Sequence, residues 1–127
     1  MGILEPDAQA SNPRPVVWMG SSRKDLIALP PVVVDTFGYG IYLAQIGKRH
    51  ENSRVLRGFG DAGVVEIVES LHGSTFRAVY TVRYAAAVFV LHVFQKKAKH
   101  GIATPKKDLD LVAQRLSRAA EIAREMK

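Results

Sequence analysis

Apolar positions in this chain follow a helical period, then an alternating one, then a helical one again. Arg14 to Met19 (Arg-Pro-Val-Val-Trp-Met) is rich in β-formers and reads as a short first strand. Ser22 offers a hydroxyl N-cap and Asp25 lies near the positive helix end, so a short helix is predicted from about Arg23 to Leu29. Pro30-Pro31 must stop it, because the residue before a proline is pushed out of the α region. Pro31 fits the first position of a second helix. That helix runs to about Ile46, with Val33, Phe37, Ile41 and Ala44 on one face. Gly38 and Gly40 each cost it roughly 1 kcal/mol relative to alanine, so it relies on packing. The two helices form a hairpin whose apolar face needs a partner.

Gly47 to Ser53 is a polar loop, followed by a brief strand near Arg54–Arg57. Three longer strands are predicted over Val64–Glu69, Thr75–Arg83 and Val88–Lys96. His72-Gly73-Ser74 and Tyr84-Ala85-Ala86 supply turns short enough to require antiparallel pairing. Thr104-Pro105 reads as a helix start, a hydroxyl cap followed by proline at the first position. The final helix runs to about Arg124, with Leu109, Val112, Ala113, Leu116, Ala120 and Ala123 as its apolar stripe. Arg115, Arg118 and Arg124 are placed elsewhere on its surface.

Alternation sorts the strand residues by face. Phe76, Ala78, Tyr80 and Val82 share one face of the middle strand, and Arg77, Val79, Thr81 and Arg83 the other. Val65 and Ile67 oppose Glu66 and Val68. In the last strand strict parity puts Phe89, Leu91 and Val93 together, opposite Val90, His92, Phe94 and Lys96. The purely apolar set is assigned to the helices. The other face is expected to lie open and to gather Glu66, Arg77, Arg83, His92 and Lys96 as a candidate phosphate site, subject to a register that parity does not give.

Charge sharpens this picture. The 127-residue chain carries a formal net charge of +6. Residues 92–127 hold nine Lys/Arg against four Asp/Glu, whereas residues 61–91 hold two against three. The run from His92 to Lys107 contains five lysines and two histidines and no carboxylate. Such a cluster suits a polyanion, with nucleic acid the first partner to consider; the alternative is a solvated basic surface. There is no cysteine, which excludes a disulfide scaffold or a thiolate nucleophile and fits a reducing cytosol. No apolar stretch reaches the ~18 residues of a membrane span, so no membrane partner is expected. The histidines lack helical ligand spacing, so neither a metal nor another cofactor is expected. Residues 1–14 read as a flexible polar tail without the pattern of a signal peptide, and residues 15–127 as one domain.

The segments Val55-Leu56-Arg57-Gly58, Phe76-Arg77-Ala78-Val79-Tyr80, Val90-Leu91-His92-Val93-Phe94-Gln95-Lys96-Lys97 and Gly101-Ile102-Ala103-Thr104-Pro105-Lys106-Lys107, in that order, resemble the RelE/ParE toxin superfamily. The last two resemble most closely its phage-derived, HigB-like branch, and the likeness spans roughly Val17 to Arg118. It implies an α+β fold: an N-terminal strand and helical hairpin packed on an antiparallel sheet of three to four further strands, with a C-terminal helix. It also implies a cytoplasmic toxin of a type II toxin–antitoxin pair, partnered by a cognate antitoxin of helix-turn-helix type. RelE-like and HigB-like members cleave messenger RNA on the ribosome. ParE-like members share the fold and poison DNA gyrase. A phage-derived protein that only binds its partner is a third possibility.

RNA can be cut without a metal because its 2′-hydroxyl is an internal nucleophile. Well-placed acid–base groups contribute roughly 10²–10⁴-fold. The resemblance implies that Arg77 grips the scissile phosphate, a task suited to a permanently charged fork, although a solvated strand arginine would look the same. His92 is the acid–base candidate, against the alternative of a packed histidine. Lys96 shares its predicted face, Arg57 falls in the matched Leu-Arg-Gly segment ahead of Arg54, and Glu66 would act as a base or orient an arginine. Lys97, Lys99, Lys106, Lys107 and Arg83 are the candidate RNA contacts. Tyr80 is assigned to the core. Some RelE proteins carry lysines where this chain has Glu66 and Glu69, a departure from the pattern.

Overall fold

A computed structural model of the chain describes residues 12–96 and 104–126. Strand β1 (Val16–Trp18) leads into helix α1 (Ser22–Ile27) and helix α2 (Pro31–Gln45), and then into strands β2 (Ser53–Val55), β3 (Val64–Leu71), β4 (Ser74–Thr81) and β5 (Val88–Lys96), before helix α3 (Lys106–Glu125). The strands form one sheet in the order β1-β5-β4-β3-β2. The meander β2 to β5 is antiparallel, as its short turns require, and β1 adds in parallel to β5. The α+β order expected from the sequence is therefore the one observed. The β3–β4 turn is held by His72 and Gly73, with φ of 51° and 80°, the two positive values that a tight hairpin turn with right-handed strand twist demands.

The helical hairpin covers the face assigned to it. Val33, Phe37, Ile41 and Ala44 of α2 and Leu26 of α1 pack on Val65, Ile67, Phe76, Ala78 and Tyr80. Burying a side chain such as Phe37 completely contributes about 1.5–3 kcal/mol before entropy is counted. Arg14 ties the start of the domain to this layer: its guanidinium donates to the carbonyls of Tyr84 at 2.7 Å and Ala44 at 3.1 Å.

Three expectations are overturned. The face carrying Glu66, Arg77 and His92 is not open, because α3 lies across it. The cause is the helix's own stripe: Leu109, Val112, Leu116 and Ala119 need an apolar partner, and Val64, Val79, Phe89 and Leu91 provide one. Ala113, placed in that stripe, is exposed instead. Second, strict parity fails in β5. Val79 pairs with His92 but Tyr80 pairs with Val90, so Leu91 is an extra residue in a β-bulge. Val88, Val90 and Val93 consequently face the hairpin, while Phe89, Leu91 and Phe94 join the α3 layer. The disturbed carbonyls are satisfied from outside the ladder. Val90 accepts from the Met19 amide at 2.9 Å and the Ser22 hydroxyl at 3.2 Å, and Leu91 accepts from Arg115 at 2.9 Å. Arg115 is thus a packing residue rather than a surface charge. Third, the expected hydroxyl caps are used elsewhere. Ser22 serves the bulge, the N-caps are Ser21 for α1 and Pro105 for α3, and the Thr104 hydroxyl is spent on Glu66.

Candidate functional site

Most of the α3 layer is apolar, but one end of it is polar. Cross-strand register sets Arg54 beside Glu66, Glu66 beside Val79, and Val79 beside His92. Two pairs further along, Val68 lies beside Arg77 and Arg77 beside Phe94. Arg77 is therefore the diagonal neighbour of both Glu66 and His92, on the same face. Sequence parity predicted this grouping, and for β5 the bulge preserves it.

The Glu66 carboxylate is completely buried and is the hub. Its Oε1 accepts from Arg54 Nε at 3.0 Å and from Arg77 Nη1 at 3.1 Å, while its Oε2 accepts from the Thr104 hydroxyl at 2.8 Å. Arg77 is 2% exposed, a cation held inside the protein by this one carboxylate, with a longer contact to Thr104 at 3.4 Å. Two arginines on one carboxylate leave the cluster with a net positive charge. That charge suits an incoming anion once the site is reached.

His92 lies next to it, 7% exposed and stacked on Phe94 with ring centroids 4.5 Å apart. Its Nε2 lies 2.7 Å from Asp108 Oδ1, in the first turn of α3. An ionised carboxylate can only accept here, so Nε2 carries a proton, and a ring with no second proton would present its lone pair at Nδ1. Among the described residues that buried Nδ1 has no hydrogen-bond partner, and neither has Arg77 Nε. Buried polar atoms left in this way are unusual.

The sequence-named residues fall into two groups. Glu66, Arg77 and His92 are brought together, with Lys96 two pairs beyond Phe94 on β5, opposite Thr75. Arg57 is not among them: it is exposed in the loop after β2, and the residue that reaches Glu66 is Arg54. The register explains the exchange, since Arg54 pairs directly with Glu66. Arg83 is remote, six residues beyond Arg77 and past the end of β4, or about 20 Å at the rise of a strand, and it bonds Asp61. Lys106 and Lys107 are exposed in the first turn of α3, with Lys106 on Asp110 at 2.9 Å. Lys97, Lys99 and His100 lie outside the described residues. Thr104 and Asp108 were missed. Their signal was a threonine just before the proline that starts a helix and an aspartate in that helix's first turn, directly after a basic run.

Tyr80 is buried in the hairpin core, as expected, and its hydroxyl has no partner among the described residues. Burial raises its pKa above the ordinary tyrosine value, against a smaller lowering by Arg49. Among the described residues no His, Asp and Glu cluster could hold a metal ion, and no helix is long and apolar enough to cross a membrane.

A family model described as Phage derived protein Gp49-like matches residues 24–117. A crystal structure of the toxin–antitoxin complex RelBE2 from Mycobacterium tuberculosis contains a chain similar to this one at 22% identity. The match covers 68% of this chain and 94% of that one, with a TM-score of 0.39. No curated protein matches the chain.

Proposed function

Because this chain belongs to the phage-derived Gp49-like family, we propose that it is the toxin of a type II toxin–antitoxin pair, acting as a ribosome-dependent endoribonuclease. The supporting observation is the juxtaposition of Arg77 and His92 on neighbouring strands, each with one buried nitrogen that has no partner among the described residues. In this reading His92 Nδ1 takes the proton from the RNA 2′-hydroxyl as the new O2′–P bond forms. Arg77 neutralises the crowded phosphate. The P–O5′ bond breaks, and the leaving oxygen takes up a proton, for which Lys96 is the nearest named donor along β5. Asp108 is a positioning residue that holds the imidazole through Nε2. Arg54, Lys106 and Lys107 would meet the phosphate backbone as charges exposed near the same end of the sheet.

Access is the condition this reading must meet. Thr104 covers the Glu66–Arg77 cluster and Asp108 covers His92; Thr104 lies just before the N-cap of α3 and Asp108 in its first turn. A single displacement of that segment on the ribosome would uncover both. The test is induction of His92→Gln and Arg77→Lys variants, with folding checked by circular dichroism and messages mapped by primer extension. Loss of growth arrest together with loss of message cleavage is expected. Full arrest in both variants would remove the mechanism.

A second reading is favoured by the burial itself. Arg77 and His92 are already occupied by Glu66 and Asp108, as in a protein that binds without catalysis, whether a ParE-like gyrase inhibitor or an inactive phage-derived relative. Intact messages with linearised plasmid identify the gyrase inhibitor. Intact messages with unarrested growth identify the inactive protein.

A further inference from the structure

The two-helix layer carries a second apolar surface that no part of the described chain covers. Helix α2 buries Val33, Phe37, Ile41 and Ala44, yet its opposite side is not polar. Val32, Tyr39 and Tyr42 remain 52%, 58% and 41% exposed. At 100° per residue these three fall within one stripe with Leu43 and Ile46, both half-buried, and the stripe also takes in the exposed Asp35. Across Pro31–Gln45 the helix has one charged residue, Asp35. A surface helix normally sets charges opposite its buried face; a helix apolar on both sides is one that expects a second neighbour.

The stripe runs about 20 Å and ends in a cationic cleft. This cleft, of about 490 Å³, is lined by Tyr39, Leu43, Lys48, Arg49, His50 and Glu51. Its wall is held in place: the Tyr39 and His50 rings meet edge to face at 5.8 Å, His50 Nδ1 accepts from the Asn52 amide at 2.9 Å, and Arg49 donates to the Ser53 hydroxyl at 3.1 Å. The surface is therefore polarised along its length, apolar with one carboxylate at the Asp35 end and basic at the Lys48–Arg49 end, where Glu51 is the one opposing charge of the lining.

We propose that the outer face of α2 docks an amphipathic helix of a partner protein whose acidic end seats against Lys48 and Arg49, and, resting on the toxin reading above, that this partner is the antitoxin. Tyr39 and Tyr42 are the anchors, large amphipathic rings of the kind that dominate interface energies. The basic cleft sets direction and speeds encounter. A second copy of this chain fits less well, because it would bring another +6 body with the same cationic cleft to the contact.

The experiment measures binding of the full chain to the purified product of the reading frame beside its gene, by titration calorimetry at two salt concentrations. Tyr39→Glu/Tyr42→Glu should weaken binding by about 100-fold or more. Lys48→Glu/Arg49→Glu should weaken it about tenfold and flatten its salt dependence. All four side chains are exposed, so the variants should keep the fold, with a wild-type circular dichroism spectrum and a cooperative melt. Binding within threefold of wild type in the tyrosine variant overturns the proposal, as does absence of binding by the wild-type chain. Concentration-dependent dimerisation that Tyr39→Glu abolishes would assign the surface to a second copy and overturn it too. Growth arrest by the tyrosine variant reports on the toxin reading alone, so the two can fail separately.

Discussion

Replacing Glu66 by glutamine keeps the side chain's shape and removes the charge that holds Arg77 inside the protein. The two groups lie 3.1 Å apart and are 0% and 2% exposed in their side chains. At an effective dielectric of about 20, Coulomb's law gives about 5 kcal/mol at that distance. Glutamine keeps an acceptor oxygen, which returns part of this. Breaking a buried pair from one side typically costs about 3–5 kcal/mol, because the remaining ion stays buried and uncompensated. A domain of this size holds about 5–15 kcal/mol in all, so the variant should lose a large share of its stability. Urea unfolding followed by circular dichroism measures this, and the melting temperature should fall by about 10–20 °C. Two controls isolate the cause. Arg54→Ala should cost less than about 1 kcal/mol, because the Arg54 side chain is 46% exposed and solvent already screens its bond to Glu66. Glu66→Gln/Arg77→Met should recover much of the loss, since no buried ion remains. A Glu66→Gln protein within about 1 kcal/mol of wild type would show that Arg77 is not held by this carboxylate, and the geometry argued for the site would be wrong.

Two glycines of α2 should behave oppositely under the same substitution. At Gly38 an added methyl meets nothing within 4 Å, so Gly38→Ala should stabilise by up to about 1 kcal/mol. At Gly40 it would collide with Ile67 Cδ1 in a closed core, so Gly40→Ala should cost about 1–3 kcal/mol; equal melting temperatures for the two variants would contradict the packing described. Burial raises the Tyr80 pKa in the folded state, so the stability it contributes is complete below about pH 10 and is lost as pH rises through the folded value. Wild type should therefore lose melting temperature faster than Tyr80→Phe between pH 9.5 and about 11.5, and parallel curves would argue against a buried neutral phenol.

Several features were legible because they depend on neighbours in the chain. Pro30-Pro31 separates two helices whatever surrounds them, and α2 begins at Pro31. His72-Gly73 closes its hairpin through local backbone freedom. The apolar alternation of Val65, Ile67, Phe76, Ala78 and Tyr80 requires a covered face. One signal was present but misread. Val88 to Phe94 is apolar at every position except His92, with no alternation. Such a run marks a strand buried on both faces, which already implied that α3 covers the side read as open.

For this chain, then, local sequence determined the elements, their order, the apolar face under the hairpin and the shared face of Glu66, Arg77 and His92. Each of these follows from backbone preference or a period of two or 3.6 residues. Tertiary structure alone decided the register that chose Arg54 over Arg57, the bulge at Leu91, and the diversion of Thr104 and Asp108 onto buried charges. These rest on contacts between residues up to 38 positions apart, where burial sets the value of a hydrogen bond or ion pair.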